Sequence, residues 1–178
     1  RDNQVYDEWI VRDQGAMVRQ IGYTPEEFAK IMIEKEGGFS NAKTLYNKSA
    51  LKESSYHPLP LESGSAGDKY SNILNKIFKK NYDFKDYDRA ANIYWPGNKI
   101  GLGREDVISF WESLKNILSE VKFKVEHVGY LNEPNKNPRA SVRWSLEGMH
   151  SGNSEMYGKK TNSNLYFMGI NHAELNSY

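Results

Sequence analysis

Arg139-Ala-Ser-Val-Arg-Trp-Ser-Leu-Glu-Gly148 is the stretch on which the fold turns. Ala140, Val142, Trp144 and Leu146 alternate with Ser141, Arg143, Ser145 and Glu147. That period of two is what a strand covered on one side produces. Two further strand candidates flank it, Lys122–Tyr130 and Leu165–Leu175. Upstream, Arg104–Leu118 places Val107, Ile108, Trp111, Leu114, Ile117 and Leu118 at helical spacing. Ile73, Leu74, Ile77 and Phe78 mark a shorter amphipathic helix, and Tyr82–Arg89 offers another. Helices first and an antiparallel sheet after them is an α+β arrangement.

The first 36 residues carry their own signals. Residues 5–13 alternate as a strand would, with Val5, Trp9, Val11 and Asp13 on one face. Ala16, Met17, Val18 and Ile21 follow at helical spacing and Gly22 closes them. Thr24-Pro-Glu-Glu27 is a capping box with proline at the first helical position, and Gly37-Gly38 ends that helix. From Phe39 to Lys69 no period holds, and Ser54-Ser-Tyr-His-Pro-Leu-Pro60 excludes a helix. A structureless stretch of that length reads as a linker between units. The expected division is therefore residues 1–36, a linker over 37–69, and a second unit over 70–178.

Val142-Arg-Trp-Ser-Leu-Glu-Gly-Met-His-Ser-Gly152 contains an Arg-Trp strand and a Gly-x-His-x-Gly turn. With Gly103-Arg104 opening a helix that carries Phe110-Trp111, and Gly169-Ile-Asn-His172, it resembles the SnoaL-like polyketide cyclase and ester cyclase group of the nuclear-transport-factor-like superfamily. The Pro-Thr-Gly loop of that group is replaced here by Lys160-Thr161-Asn162. Glu8-Trp9-Ile-Val-Arg12-Asp13 and Arg19-Gln20-Ile21-Gly22 resemble the motif that closes the family's fold, yet here they come first. Two explanations stand: a tandem protein cut between units, or a circularly offset unit. Both lead to the expectation that residues 1–13, from the same chain or a neighbouring copy, pair with 165–175 and complete the 70–178 unit.

The resemblance implies a cone-shaped, curved antiparallel sheet wrapped around helices, with an apolar pocket. It implies a small apolar or aromatic ligand and, as the finer reading, cofactor-free acid/base chemistry: proton abstraction beside a carbonyl, then intramolecular aldol closure. Asp13 would move the proton, its pKa raised by an apolar pocket. His172 would stabilise the developing enolate. Trp9, Tyr94, Trp95, Trp144, His150 and Asn171 would line the ligand site. A non-catalytic binding or dimerisation module of the same fold is the alternative. Each residue also has a structural reading: Asp13 as a helix N-cap, His172 as a sheet surface residue, His150 as part of a sharp turn, the aromatics as core.

Composition narrows the classes. A net charge of +1 gives no electrostatic case for nucleic acid or an anionic membrane. The chain has no cysteine, which excludes disulfides and thiolate chemistry but leaves the compartment open. No apolar run approaches the roughly 20 residues that span a bilayer. His57, His127, His150 and His172 do not fall at metal-ligand spacing. The resulting expectation is a cytoplasmic homo-oligomer, with no metal or cofactor, that partners a small molecule.

Overall fold

The protein is described here by a computed structural model covering residues 8–42, 60–79, 82–154 and 156–176. It divides into two compact units, Arg1–Tyr56 with Tyr94–Ile100, and His57–Ile93 with Gly101–Tyr178. No helix among the described residues is long and apolar enough to cross a membrane.

The first unit holds helices α1 (Gln14–Gln20) and α2 (Pro25–Lys35). The capping box forms as expected: Thr24 Oγ1 accepts from the Glu27 amide at 3.2 Å, and the Thr24 amide donates to Glu27 Oε2 at 2.8 Å. Tyr23 and Phe28 pack across this cap with ring centroids 6.2 Å apart, a hydrophobic staple that sets the entry angle of the chain. The strand expected over residues 5–13 is absent over 8–13. The Asp13 carboxylate accepts from the Ala16 amide at 2.8 Å and so starts a helix where a strand would have to continue. Residues 5–7 lie outside the described residues.

A hairpin of β1 (Asn92–Trp95) and β2 (Lys99–Leu102) follows, turning at the Trp95-Pro-Gly-Asn98 sequence. Its tip groups with the first unit.

The second unit is built on an antiparallel sheet of β3 (Leu118–Leu131), β4 (Arg139–His150) and β5 (Asn164–Glu174), in that order. Its helices are α3 (Ala66–Ile77) and α4 (Arg104–Lys115). This is the α+β class read from the sequence. The alternation in 139–148 holds and extends to His150, because Ala140, Val142, Trp144 and Leu146 all enter one core with the helices. In β3 the register with β4 shifts twice, between Ser119 and Lys122 and between Val125 and His127. Such irregularities bend and twist a strand. Against β5 the register is unbroken, pairing Trp144 with Gly169 and Val142 with Asn171. Among the described residues β5 has β4 as its strand neighbour and no other.

Three boundaries differ from expectation. Helix α3 starts at Ala66, inside the expected linker, because Ser65 caps it by accepting from the Asp68 amide at 3.1 Å. Its Gly67 lets the helix approach the sheet: a Cβ there would sit 2.8 Å from Val128 Cγ1. Helix α4 stops at Lys115, since Ile117 and Leu118 enter the core from the sheet side. Over 82–89 there is no helix. Phe84 takes a left-handed φ of 56°, and the Asp83 and Asp88 carboxylates accept from the amides of Lys85 and Ala90. Local turns of this kind compete with helix formation.

Candidate functional site

The helix-covered face of the sheet carries a patch of polar atoms set among large aromatic rings. Its centre is Trp144 on β4. Gly169 lies directly across on β5, and a Cβ there would overlap the Trp144 indole. The missing side chain lets the ring lie across β5, and its Nε1 donates to Asn171 Oδ1 at 2.6 Å. An indole N–H can only donate, so the Asn171 carbonyl must face it and the amide NH2 must face away. Tyr70, from the buried stripe of α3, places its hydroxyl beside that amide and beside the Tyr87 hydroxyl.

Tyr87 comes from the irregular segment after α3 and is held by its backbone. Arg104, the first residue of α4, donates from Nε and Nη2 to the Tyr87 carbonyl at 3.0 and 2.6 Å. Trp111 on α4 closes the patch, its ring centroid 6.0 Å from Trp144 and 5.9 Å from Phe78. Phe78 in turn stacks on Phe123 at 4.7 Å. Burial pushes the Tyr70 hydroxyl pKa up, more than its contacts with Asn171 and Tyr87 pull it down. Burial also raises that of Tyr87, reinforced by Tyr70 and Tyr82. Both remain neutral phenols, able to donate a hydrogen bond.

Of the residues proposed from the sequence, Trp144 and Asn171 are brought together here. His172 is not with them. Adjacent residues of a strand point to opposite faces, so pairing Asn171 with Val142 turns His172 to the other face, opposite Ser141 and exposed. His150 shares the helix-covered face and is 3% exposed. It stands six residues along β4 from Trp144, about 20 Å away at strand rise. Its Nδ1 lies 3.2 Å from Thr161 Oγ1, and its Nε2 has no hydrogen-bond partner. Trp9, Tyr94 and Trp95 belong to the first unit, where Trp9 and Trp95 are half-buried and Tyr94 is 76% exposed.

Asp13 also belongs to the first unit. Besides capping α1 it accepts from the Gly97 amide at 2.6 Å, tying the hairpin tip to the helix start. The raised pKa required of a general base near neutrality is not found. Partial burial pushes the carboxyl up, but hydrogen bonds from the amides of Ala16, Gly97 and Asn98, with Arg19 nearby, outweigh it and leave the pKa lowered. The direction fixes the linkage: a depressed pKa gives stability that is present above the unfolded value of about 3.9 and lost as pH falls through the folded one. Asp13→Ala should therefore cost about 1 kcal/mol at pH 7, and Asp13→Asn much less. In urea denaturation the gap between wild type and Asp13→Ala should narrow from pH 7 to pH 2. An unchanged gap would remove the charged-cap role.

Sequence reasoning missed Tyr70 and Tyr87 as site residues. For Tyr70 a signal existed: it is the phenol in a stripe otherwise continued by Leu74 and Ile77. For Tyr87, in a segment read as a short helix that does not form, there was none. Among the described residues no group of three or more His, Asp or Glu side chains is placed to hold a metal ion.

No family model matches the chain, and no curated protein matches it. Solved structures similar to it include the following two. One is described as "Rd1NTF2_04 with long sheet", with a TM-score of 0.42 and 14% identity over 62% of this chain and 89% of that one. The other is described as a SnoaL-like polyketide cyclase from Shewanella putrefaciens CN-32, with a TM-score of 0.42 and 16% identity over 61% of this chain and 69% of that one.

Proposed function

We propose that the second unit binds a small, uncharged aromatic or apolar molecule at the helix-covered face of its sheet, next to Trp144, Asn171, Tyr70 and Tyr87. One observation carries this reading: a cluster of hydrogen-bonding atoms set in an aromatic surround with no ionised group among its members. Small-molecule sites combine mostly apolar walls with a few convergent polar groups. Among the described residues the buried polar side chains are Ser65, Ser71, Ser145 and His150, none of them a carboxylate or a cation of the Lys or Arg type. An ionised ligand would meet no counter-charge there, and an unpaired buried charge is costly.

Acid/base cyclisation is the finer reading that the sequence suggested. The capping bonds and lowered pKa of Asp13, and the exposure of His172 on the other face, favour binding over it.

The test is a titration with neutral naphthalene derivatives, followed by tryptophan fluorescence and by thermal melting. Trp111 and Trp144 should report a saturable change, and ligand at about 100 times Kd should add about 2.7 kcal/mol of stability. Asn171→Leu should weaken binding about tenfold, since it removes the amide and leaves the Trp144 N–H unpaired. A panel that produces no saturable signal, or equal binding by Asn171→Leu, would defeat the reading.

A further inference from the structure

The sheet of the second unit has two edges, β3 and β5, and they are finished differently. An edge strand offers a row of amides and carbonyls to any other strand, and proteins blunt it with lysines, prolines, bulges or irregular pairing. β3 carries such devices: Lys122 and Lys124 are exposed on it, and its register shifts twice. β5 carries none. Asn164–Glu174 holds no lysine, arginine or proline, and its pairing with β4 runs without a shift. The hydrogen bonds at its two ends fix which way its backbone points. The Leu175 amide donates to the Pro138 carbonyl at 2.9 Å, and the His150 amide donates to the Ser163 carbonyl at 2.9 Å. In an antiparallel ladder such pairs recur at every second residue, so the odd-numbered residues of β5 turn their amides and carbonyls to β4. Those of Met168, Ile170 and His172 therefore point away from it, along the open edge. Burial follows the same line: Leu146 and Val142 on β4 are fully buried, whereas Phe167 and Asn171 opposite them on β5 are half-buried.

We propose that a second copy of this chain pairs with this edge. Two β5 strands run antiparallel about a two-fold axis at Gly169 and join two three-stranded sheets into one of six strands. The occupant follows from the strand itself. Gly169 is the middle of the 11 residues of β5, so a two-fold there aligns the strand with its own copy over its whole length. Met168 then lies opposite Ile170 of the second copy, apolar against apolar on the face away from the helices. Each pair exchanges two hydrogen bonds through the amides and carbonyls that β4 leaves unused. At the strand ends Asn164 lies opposite Glu174 of the second copy, an amide against a carboxylate, so no like charges face each other. Glu174 accepts from Asn137 Nδ2 at 2.8 Å through Oε1, which leaves Oε2 for the second copy. Residues 8–13, the described part of the segment expected to cover this edge, do not form a strand.

Sedimentation equilibrium of the full chain should show a reversible rise from 20.5 kDa toward twice that mass between about 1 and about 300 µM, the range of a small interface. Hydrogen exchange at the Met168, Ile170 and His172 amides should slow over the same concentrations. Met168→Pro removes an amide that β4 does not use, so at dilution its melting temperature should stay within about 3 °C of wild type. It should weaken dimerisation about tenfold or more, since the two-fold makes the lost bond count twice. Asn164→Asp sets a carboxylate opposite Glu174 of the second copy, again twice, and should weaken dimerisation about threefold. Asn164 is exposed, so this variant keeps the test open even where Met168→Pro does not fold. A chain that stays at 20.5 kDa at every concentration overturns the proposal. So does a dimerisation constant unchanged in both variants, which would place the contact on another surface. Edge amides protected equally at every concentration assign the cover to the chain itself and overturn it too. A dimer weakened by Met168→Pro but not by Asn164→Asp overturns the pairing about Gly169.

Discussion

Trp111→Ala should remove about 3–5 kcal/mol of stability, the range seen when a buried tryptophan is truncated. Trp111 is 1% exposed and projects from α4 into the middle of the aromatic group. Phe110, Phe78 and Trp144 lie with ring centroids 5.0, 5.9 and 6.0 Å away, so its loss leaves a void bordered by rigid rings that cannot collapse into it. A domain of ordinary stability has about 5–15 kcal/mol in total, so this one change takes a large share of it. The fall in melting temperature should be about 6–20 °C at this chain length. Trp111→Phe keeps an aromatic ring in place and should lose less. A melting temperature for Trp111→Ala within 2 °C of wild type would show that the aromatic group is not the core of the second unit.

Gly169→Ala should cost about 2–4 kcal/mol despite adding only one methyl group. That methyl would occupy the volume of the Trp144 indole. The backbone cannot easily yield, because β4 and β5 keep their register without a break from Arg139 to Met149. The indole must move instead, at an overpacking cost of about 1–3 kcal/mol. Its bond to Asn171 then breaks, at about 1 kcal/mol more. The mechanism predicts coupling: in a Trp144→Leu background the added methyl has room, and Gly169→Ala should cost less there by about 1 kcal/mol or more. Denaturant titration of the four proteins in that cycle measures this directly. Additive costs would mean that the glycine acts on the strand itself and not through the indole. The same substitution should weaken ligand binding, since it displaces the ring that orients Asn171.

The two tyrosines and the glycine show where reading the sequence stopped short. Gly169 stood in the sequence as part of a Gly-Ile-Asn-His run, with Asn171 assigned to ligand binding and His172 to catalysis in the same pocket. Neighbours on a strand cannot share a face, and the pairing of Val142 with Asn171 decides between them. Strand periodicity says that residues alternate but not which set faces inward when both sets hold polar and apolar members, as in Leu165-Tyr-Phe-Met-Gly-Ile-Asn-His172. In β4 the choice was visible because one set is apolar throughout.

What the sequence determined by itself is local. The capping box at Thr24 and Glu27, the two-residue period of 139–148 and the apolar stripe around Val107, Trp111 and Leu114 each concern residues within a few positions of one another. Hydrogen bonds and burial between such near neighbours follow from spacing alone, and these elements form as the type expected, α4 ending three residues early. The tertiary structure decided what depends on contacts far apart in the chain. Asp13 meets the Gly97 amide across 84 positions, which engages it as a cap and tie with a lowered pKa. Trp144 meets Asn171 across 27 positions, and Arg104 holds Tyr87 across 17. A side chain's charge, its free hydrogen bonds and its face depend on which distant atoms are its neighbours, and no local period encodes them.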